Sequence, residues 1–127
     1  MRVLYVDDDR INTLLFVETC RLAGNVEVET TGSGVEALAL AQAWRPHLLV
    51  IDLHLPDTDG YKLLPALRQC LAQAALPAVL CTADDACEVQ APARAAGFDD
   101  CWPKPVDLER VLSGLARYSG LPHGTPE

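Results

Sequence analysis

The sequence predicts an α/β fold: a doubly wound, five-stranded parallel sheet with helices on both faces. Three observations lead there. Five short strand-like runs alternate with segments of helical periodicity, the pattern of a parallel sheet with crossover helices. The central run, Leu48-Leu49-Val50-Ile51, is apolar without alternation, as a strand buried on both faces must be. The chain, at 127 residues, can bury one real core but not two. Of the doubly wound topologies, the five-stranded one has order 2-1-3-4-5, with ligand chemistry outside the carboxyl ends of strands one and three.

Val3-Leu4-Tyr5-Val6 is the first strand, and it ends in Asp7-Asp8-Asp9. A helix follows from about Arg10 to Ala23, with Ile11, Leu14, Leu15 and Leu22 on one side and Gly24-Asn25 as its stop. Val26 to Thr30 alternates strictly, like a half-exposed edge strand. Ser33-Gly34-Val35-Glu36 is a capping box opening a helix that runs to Trp44 and is closed by Pro46. The central strand then ends on Asp52, and Pro56 and Asp57-Thr58-Asp59-Gly60 make the following loop. The third helix covers roughly Gly60 to Gln73, packing Leu63, Leu64, Leu67 and Leu71 inward, with Pro65 near its first turn. Ala78-Val79-Leu80-Cys81 is the fourth strand, ending at Thr82-Ala83. The fourth helix spans about Asp85 to Ala96, and Pro92 predicts that it is short or kinked. Phe98 to Trp102 form the fifth strand, followed by Pro103-Lys104-Pro105. Asp107 caps a last helix carrying Leu108, Val111, Leu112 and Leu115 at helical spacing. The domain is expected over 1–119, with 120–127, rich in Gly and Pro, as a loose tail.

Half of the residues are apolar and 22% are charged, an ordinary globular composition. A net charge of -8 argues against binding nucleic acid or an anionic membrane through bulk charge. No apolar run reaches the length of a membrane span. Met1 leads straight into a strand without room for a signal peptide, so a cytoplasmic protein is expected. The five cysteines (Cys20, Cys70, Cys81, Cys87, Cys101) share no metal-type spacing and read as small buried hydrophobes.

Placed on that topology, strand one delivers Asp7 and Asp8 to one rim, strand three Asp52, strand four Thr82 and strand five Lys104. Converging carboxylates repel one another unless a cation joins them. Mg2+ suits such a site, because it takes few protein ligands, all oxygen, and keeps several waters. Lys104 adds a point charge fit for phosphate oxygens. Thr82 adds a hydroxyl, and Ala83 leaves space. Together these make a phosphoryl-transfer site, with Asp52 as the nucleophile.

Four motifs stand in order at these strand ends: Val6-Asp7-Asp8-Asp9, Ile51-Asp52-Leu53-His54-Leu55-Pro56-Asp57-Thr58-Asp59-Gly60, Thr82-Ala83 and Lys104-Pro105. With them the chain resembles a response-regulator receiver domain of two-component signalling, of the flavodoxin-like (βα)5 class, over about Arg2 to Tyr118. The resemblance implies that Asp52 accepts a phosphoryl group from a phosphohistidine on a sensor histidine kinase or a histidine phosphotransfer protein. It implies Mg2+ held by Asp8, Asp52 and the backbone carbonyl of His54, with Asp7 acting mainly through water. It also implies that Thr82 and Lys104 contact the phosphoryl group, and that Lys104-Pro105 is a cis peptide. The output would be a rearranged surface on helix four, strand five and helix five. Such a chain is a phosphoacceptor and not a turnover enzyme, and a monomer or weak dimer is expected.

Two positions depart from the family pattern. Cys101, with Trp102 beside it, stands where the family carries the Tyr or Phe that swings inward on activation. Pro92 interrupts the fourth helix. His54 and Asp84 occupy positions that look out over the phosphate in relatives and tune its hydrolysis. Asp9 reads as a helix cap, Asp57 and Asp59 as turn residues, Asp84-Asp85 and Asp99-Asp100 as loop charges or caps, and Trp44 as packing at a helix end. Trp102 can be core or a partner surface; His47 and His123 carry no signal. Two other functions compete with this one. A haloacid-dehalogenase-type phosphatase would use Asp7 as nucleophile and Asp9 as acid, but leaves the Asp52 motif unexplained. An unphosphorylated interaction module would have no need of a complete set of site residues.

Overall fold

All five strand-like runs form strands and pair into one parallel sheet in the computed structural model, which describes residues 1–119, Ala86 and Cys87 through their backbone only. The strands are β1 (Arg2–Val6), β2 (Glu27–Thr31), β3 (Leu48–Asp52), β4 (Ala78–Thr82) and β5 (Asp100–Pro103). Between and after them run α1 (Arg10–Ala23), α2 (Gly34–Trp44), α3 (Gly60–Leu71), α4 (Ala86–Ala96) and α5 (Leu108–Ser119). The sheet order is β2-β1-β3-β4-β5, as the alternating pattern predicts. The expected tail over 120–127, with His123, lies outside the described residues, as does the side chain of Cys87.

β3 and β4 are buried along their whole length, whereas β2 alternates between exposed and half-buried positions at the sheet edge. Period-two alternation divides the core into two layers. Leu4 and Val6 of β1 face a cluster with Ala37, Leu63, Leu67, Val89 and Ala93 from α2, α3 and α4. Val3 and Tyr5 face the opposite cluster with Phe16, Cys20, Val111 and Leu115 from α1 and α5. Gly60 lets α3 start directly against the end of β3, since a Cβ there would sit 2.9 Å from the carbonyl oxygen of Asp52.

Several expectations are corrected. On α1 it is Phe16 and Cys20 that are buried, while Ile11, Leu14, Leu15 and Leu22 are 46–72% exposed. Stacking of Phe16 on Tyr5 sets the rotation of this helix and turns its more apolar arc outward. On α5, Leu108 is exposed, and Gly114 and Tyr118 join Val111 and Leu115 in the buried stripe. α4 continues through Pro92 for 11 residues, so the expected shortening does not occur; burial of Val89 and Ala93 anchors the helix on both sides of the proline. β5 begins at Asp100, and Phe98 is buried ahead of it. Cys20 and Cys81 are buried, but Cys70 is exposed and Cys101 half-buried. Asp99 and Asp100 are not merely solvated: Asp99 accepts from the Ala78 amide, and Asp100 from the Trp102 indole. Among the described residues no helix is long and apolar enough to cross a membrane.

Candidate functional site

Because all strands are parallel, every carboxyl terminus opens on the same rim, and the order places β1, β3 and β4 side by side there. Val6 pairs with Ile51 and Asp52 with Cys81, so the residues just past these pairs meet at the rim. Asp7, Asp52 and Thr82 are all buried, at 3%, 6% and 1% exposure, while Asp8 is exposed.

The Lys104 ammonium joins the carboxylates. Its Nζ lies 2.8 Å from Asp7 Oδ2 and 3.0 Å from Asp52 Oδ2. Burial alone would lower the Lys104 pKa, but its bonds to Asp7 and Asp52 outweigh that and raise it. Burial raises the Asp52 pKa; the hydrogen bond and charge of Lys104 oppose this, and the charge of Asp7 reinforces it. Lys104 reaches the site because its own amide donates to the Thr82 carbonyl oxygen at 2.9 Å, continuing the β4–β5 pairing past the last strand residue. The Lys104–Pro105 peptide is cis.

Asp7 is held from several directions. Its Oδ1 accepts from the Asp9 amide at 2.9 Å, and its Oδ2 accepts from the Tyr5 hydroxyl at 2.9 Å as well as from Lys104. Asp52 Oδ1 faces the His54 amide at 3.4 Å. Thr82 Oγ1 accepts from the Asp84 amide at 3.1 Å, and the Asp84 carboxylate in turn meets His54 Nε2 at 2.9 Å across the mouth of the site. Ala83 is exposed beside them.

Carboxylate oxygens of Asp7, Asp8 and Asp52 all lie within 4.8 Å of one another. Three hard oxygen donors, with one ammonium to offset them, fit a hard divalent cation such as Mg2+. By contrast, an apolar cavity of about 600 Å3 at the amino-terminal ends of the strands, lined in part by Met1, Leu76 and Tyr118, has no converging carboxylates.

Asp9, read as a cap, accepts from the Asn12 amide, whereas Asp59, read as a turn residue, caps α3 by accepting from the Lys62 amide. With its side chain engaged there, Asp9 is poorly placed to be the acid of a phosphatase. Asp57 does more than turn the chain. Its two oxygens take the Gly34 and Val35 amides at 2.8 and 2.9 Å, tying the β3–α3 loop to the start of α2, and these bonds lower its pKa. Trp102 is core: it is 1% exposed and packs so tightly on α5 that a Cβ at Gly114 would meet its ring at 2.3 Å. Cys101 points to the other layer, half-buried at the edge of the α2–α3–α4 cluster. Tyr5 was not singled out from the sequence, although a signal existed: in a strand, residues two apart share a face, which puts Tyr5 under Asp7.

Comparison with known proteins agrees with this geometry. A family model described as the response regulator receiver domain matches residues 3–116. The response regulator MprA of Mycobacterium leprae is 36% identical over 115 residues, 91% of this chain and 49% of the relative. The sensor histidine kinase RcsC of Salmonella typhi is 32% identical over 119 residues, 94% of this chain and 12% of that kinase. Among solved structures, the chemotaxis response regulator CheY4 of Vibrio cholerae matches with a TM-score of 0.83 at 31% identity, over 92% of this chain and 97% of that one. The chain thus spans about half the length of MprA.

Proposed function

From the premise that this chain belongs to the response-regulator receiver domain family of two-component systems, we propose that it is a phosphoacceptor whose Asp52 takes a phosphoryl group from a phosphohistidine. The donor is a sensor histidine kinase or a histidine phosphotransfer protein. An Asp52 oxygen attacks phosphorus, the phosphorus–nitrogen bond breaks, and the imidazole leaves with the electron pair.

The observation that carries this reading is the Lys104 ammonium shared between Asp7 and Asp52 at the ends of adjacent strands. Lys104 holds Asp52 in place before transfer and has a phosphoryl oxygen to move to afterwards. Thr82, whose hydroxyl now accepts from Asp84, turns its proton toward that group. We assign Asp8, Asp52 and the His54 carbonyl to holding Mg2+, with Asp7 acting mainly through water. When bound, the ion offsets charge on the acceptor and the phosphoryl oxygens. His54 and Asp84, paired over the mouth, set how water reaches the product.

Because the Lys104 amide bonds the Thr82 carbonyl, a shift of Thr82 passes directly to the end of β5. We place the output on the α4–β5–α5 surface, with the half-buried Cys101 standing where relatives carry an aromatic switch. The acceptor role is tested by treating the chain with acetyl phosphate and Mg2+ and weighing the product. The parent gains one phosphoryl group, and Asp52→Asn gains none; equal labelling of the two would overturn the assignment.

A further inference from the structure

Tyr5 is fully buried in the middle of β1, and its ring stacks on Phe16 of α1 with centroids 4.3 Å apart and planes 10° from parallel. Packing alone asks only for a phenyl ring there. A buried hydroxyl must find a partner or cost free energy, and this one donates to Asp7 Oδ2 at 2.9 Å. Lys104 Nζ reaches the same oxygen at 2.8 Å. Two donors on one carboxylate oxygen fill both of its lone pairs. The Asp9 amide takes one site on Oδ1. What Asp7 has left to offer the cluster with Asp8 and Asp52 is therefore the remaining lone pair of Oδ1.

We propose that Tyr5 is a positioning residue of the cation site. By holding Oδ2 it fixes which oxygen Asp7 turns toward a divalent ion or its water, and it keeps Lys104 from being drawn wholly onto Asp7 and away from Asp52. The inference rests on the receiver reading above, and it adds a residue that does not touch the phosphoryl group. The stacking on Phe16 clamps the ring, so the hydroxyl oxygen stays within reach of Asp7 Oδ2. Loss of such a supporting hydrogen bond typically weakens metal binding by about 10-fold or more.

The test is a Mg2+ titration of the full chain and of Tyr5→Phe, followed by the amide resonances of Asp8 and His54. The parent binds, and the variant binds about 10-fold more weakly. Its slower labelling by acetyl phosphate at low Mg2+ recovers at saturating Mg2+, which a general loss of structure would not do. Affinity within twofold of the parent, or a labelling defect that persists at saturation, overturns the inference and leaves the receiver reading intact. No Mg2+ binding by the parent overturns both. A second measurement needs no variant. The 13Cζ resonance of Tyr5 in the parent should shift along the same Mg2+ titration curve as the Asp8 amide, and a resonance that stays fixed through saturation overturns the inference.

Discussion

Lys104 sits at 10% side-chain exposure between two carboxylates at 1% and 8%, so it is the counter-charge on which both buried acids depend. Replacing it by Met leaves Asp7 and Asp52 buried without a counter-charge, a change that typically costs about 3–5 kcal/mol. The pH dependence follows from the raised pKa. A lysine that binds its proton more tightly in the folded chain contributes stability that is complete below the ordinary value of 10.5 and fades as pH rises through the folded value. Tyr5, Cys20 and Cys81, whose pKa values burial raises, cost stability in the same alkaline direction. Urea unfolding of the parent should therefore lose stability more steeply above the ordinary lysine value of 10.5 than Lys104→Met, which keeps a shallower alkaline limb. Residues at this scale were legible in the sequence in proportion to how exposed their logic is. A carboxylate, a hydroxyl or an ammonium at the end of an apolar run is conspicuous, and Asp7, Asp8, Asp52, Thr82 and Lys104 were all placed on the rim. Tyr5 draws no notice because a tyrosine in a strand resembles core, and Asp57 reads as a turn residue because an aspartate in a loop resembles a turn. What each bonds depends on neighbours far off in sequence: Asp57 meets the amide of Gly34.

At the scale of the element, strand burial and sheet order could be read from patterning, but helix rotation could not. The first helix has apolar residues on more than one arc. Counting them favours Ile11, Leu14, Leu15 and Leu22, while the contact that decides is a single ring stacked on Tyr5. The two arcs separate cleanly in a stability measurement. Phe16→Ala removes a fully buried aromatic and should cost about 3–5 kcal/mol. Leu14→Ser, at a position 56% exposed, should change stability by no more than about 0.5 kcal/mol. Urea midpoints at constant m-value report both, and a Leu14→Ser loss comparable to that of Phe16→Ala would mean that α1 packs through the other arc. The same reasoning covers α4, where Pro92 removes a hydrogen-bond donor, yet burial of Val89 and Ala93 on either side holds the helix to the sheet. In α4 local propensity lost to tertiary packing, and in α1 the apolar count lost to one aromatic contact.

For the whole molecule, parallel topology and charge combine. Five parallel strands gather acids from distant parts of the chain onto one rim, and the chain carries a net charge of -8. The fold therefore concentrates negative charge at the end of the sheet where, among the described residues, the Lys104 ammonium answers it. On the proposed function the folded chain, and not the unfolded one, is the species that binds a divalent cation, since unfolding scatters the three carboxylates. Linkage then requires that the cation stabilise the fold by about 2.7 kcal/mol when its concentration is a hundred times the dissociation constant. Melting in increasing MgCl2, with NaCl matched for ionic strength, should raise the parent midpoint steadily. Asp8→Asn should start from an equal or higher midpoint, because one repelling charge at the rim is gone, yet respond weakly to Mg2+. The two melting curves should thus approach or cross as Mg2+ is added. Parallel responses in parent and variant would place the ion elsewhere on the acidic surface, and the rim would then be a charge cluster answered by Lys104 alone.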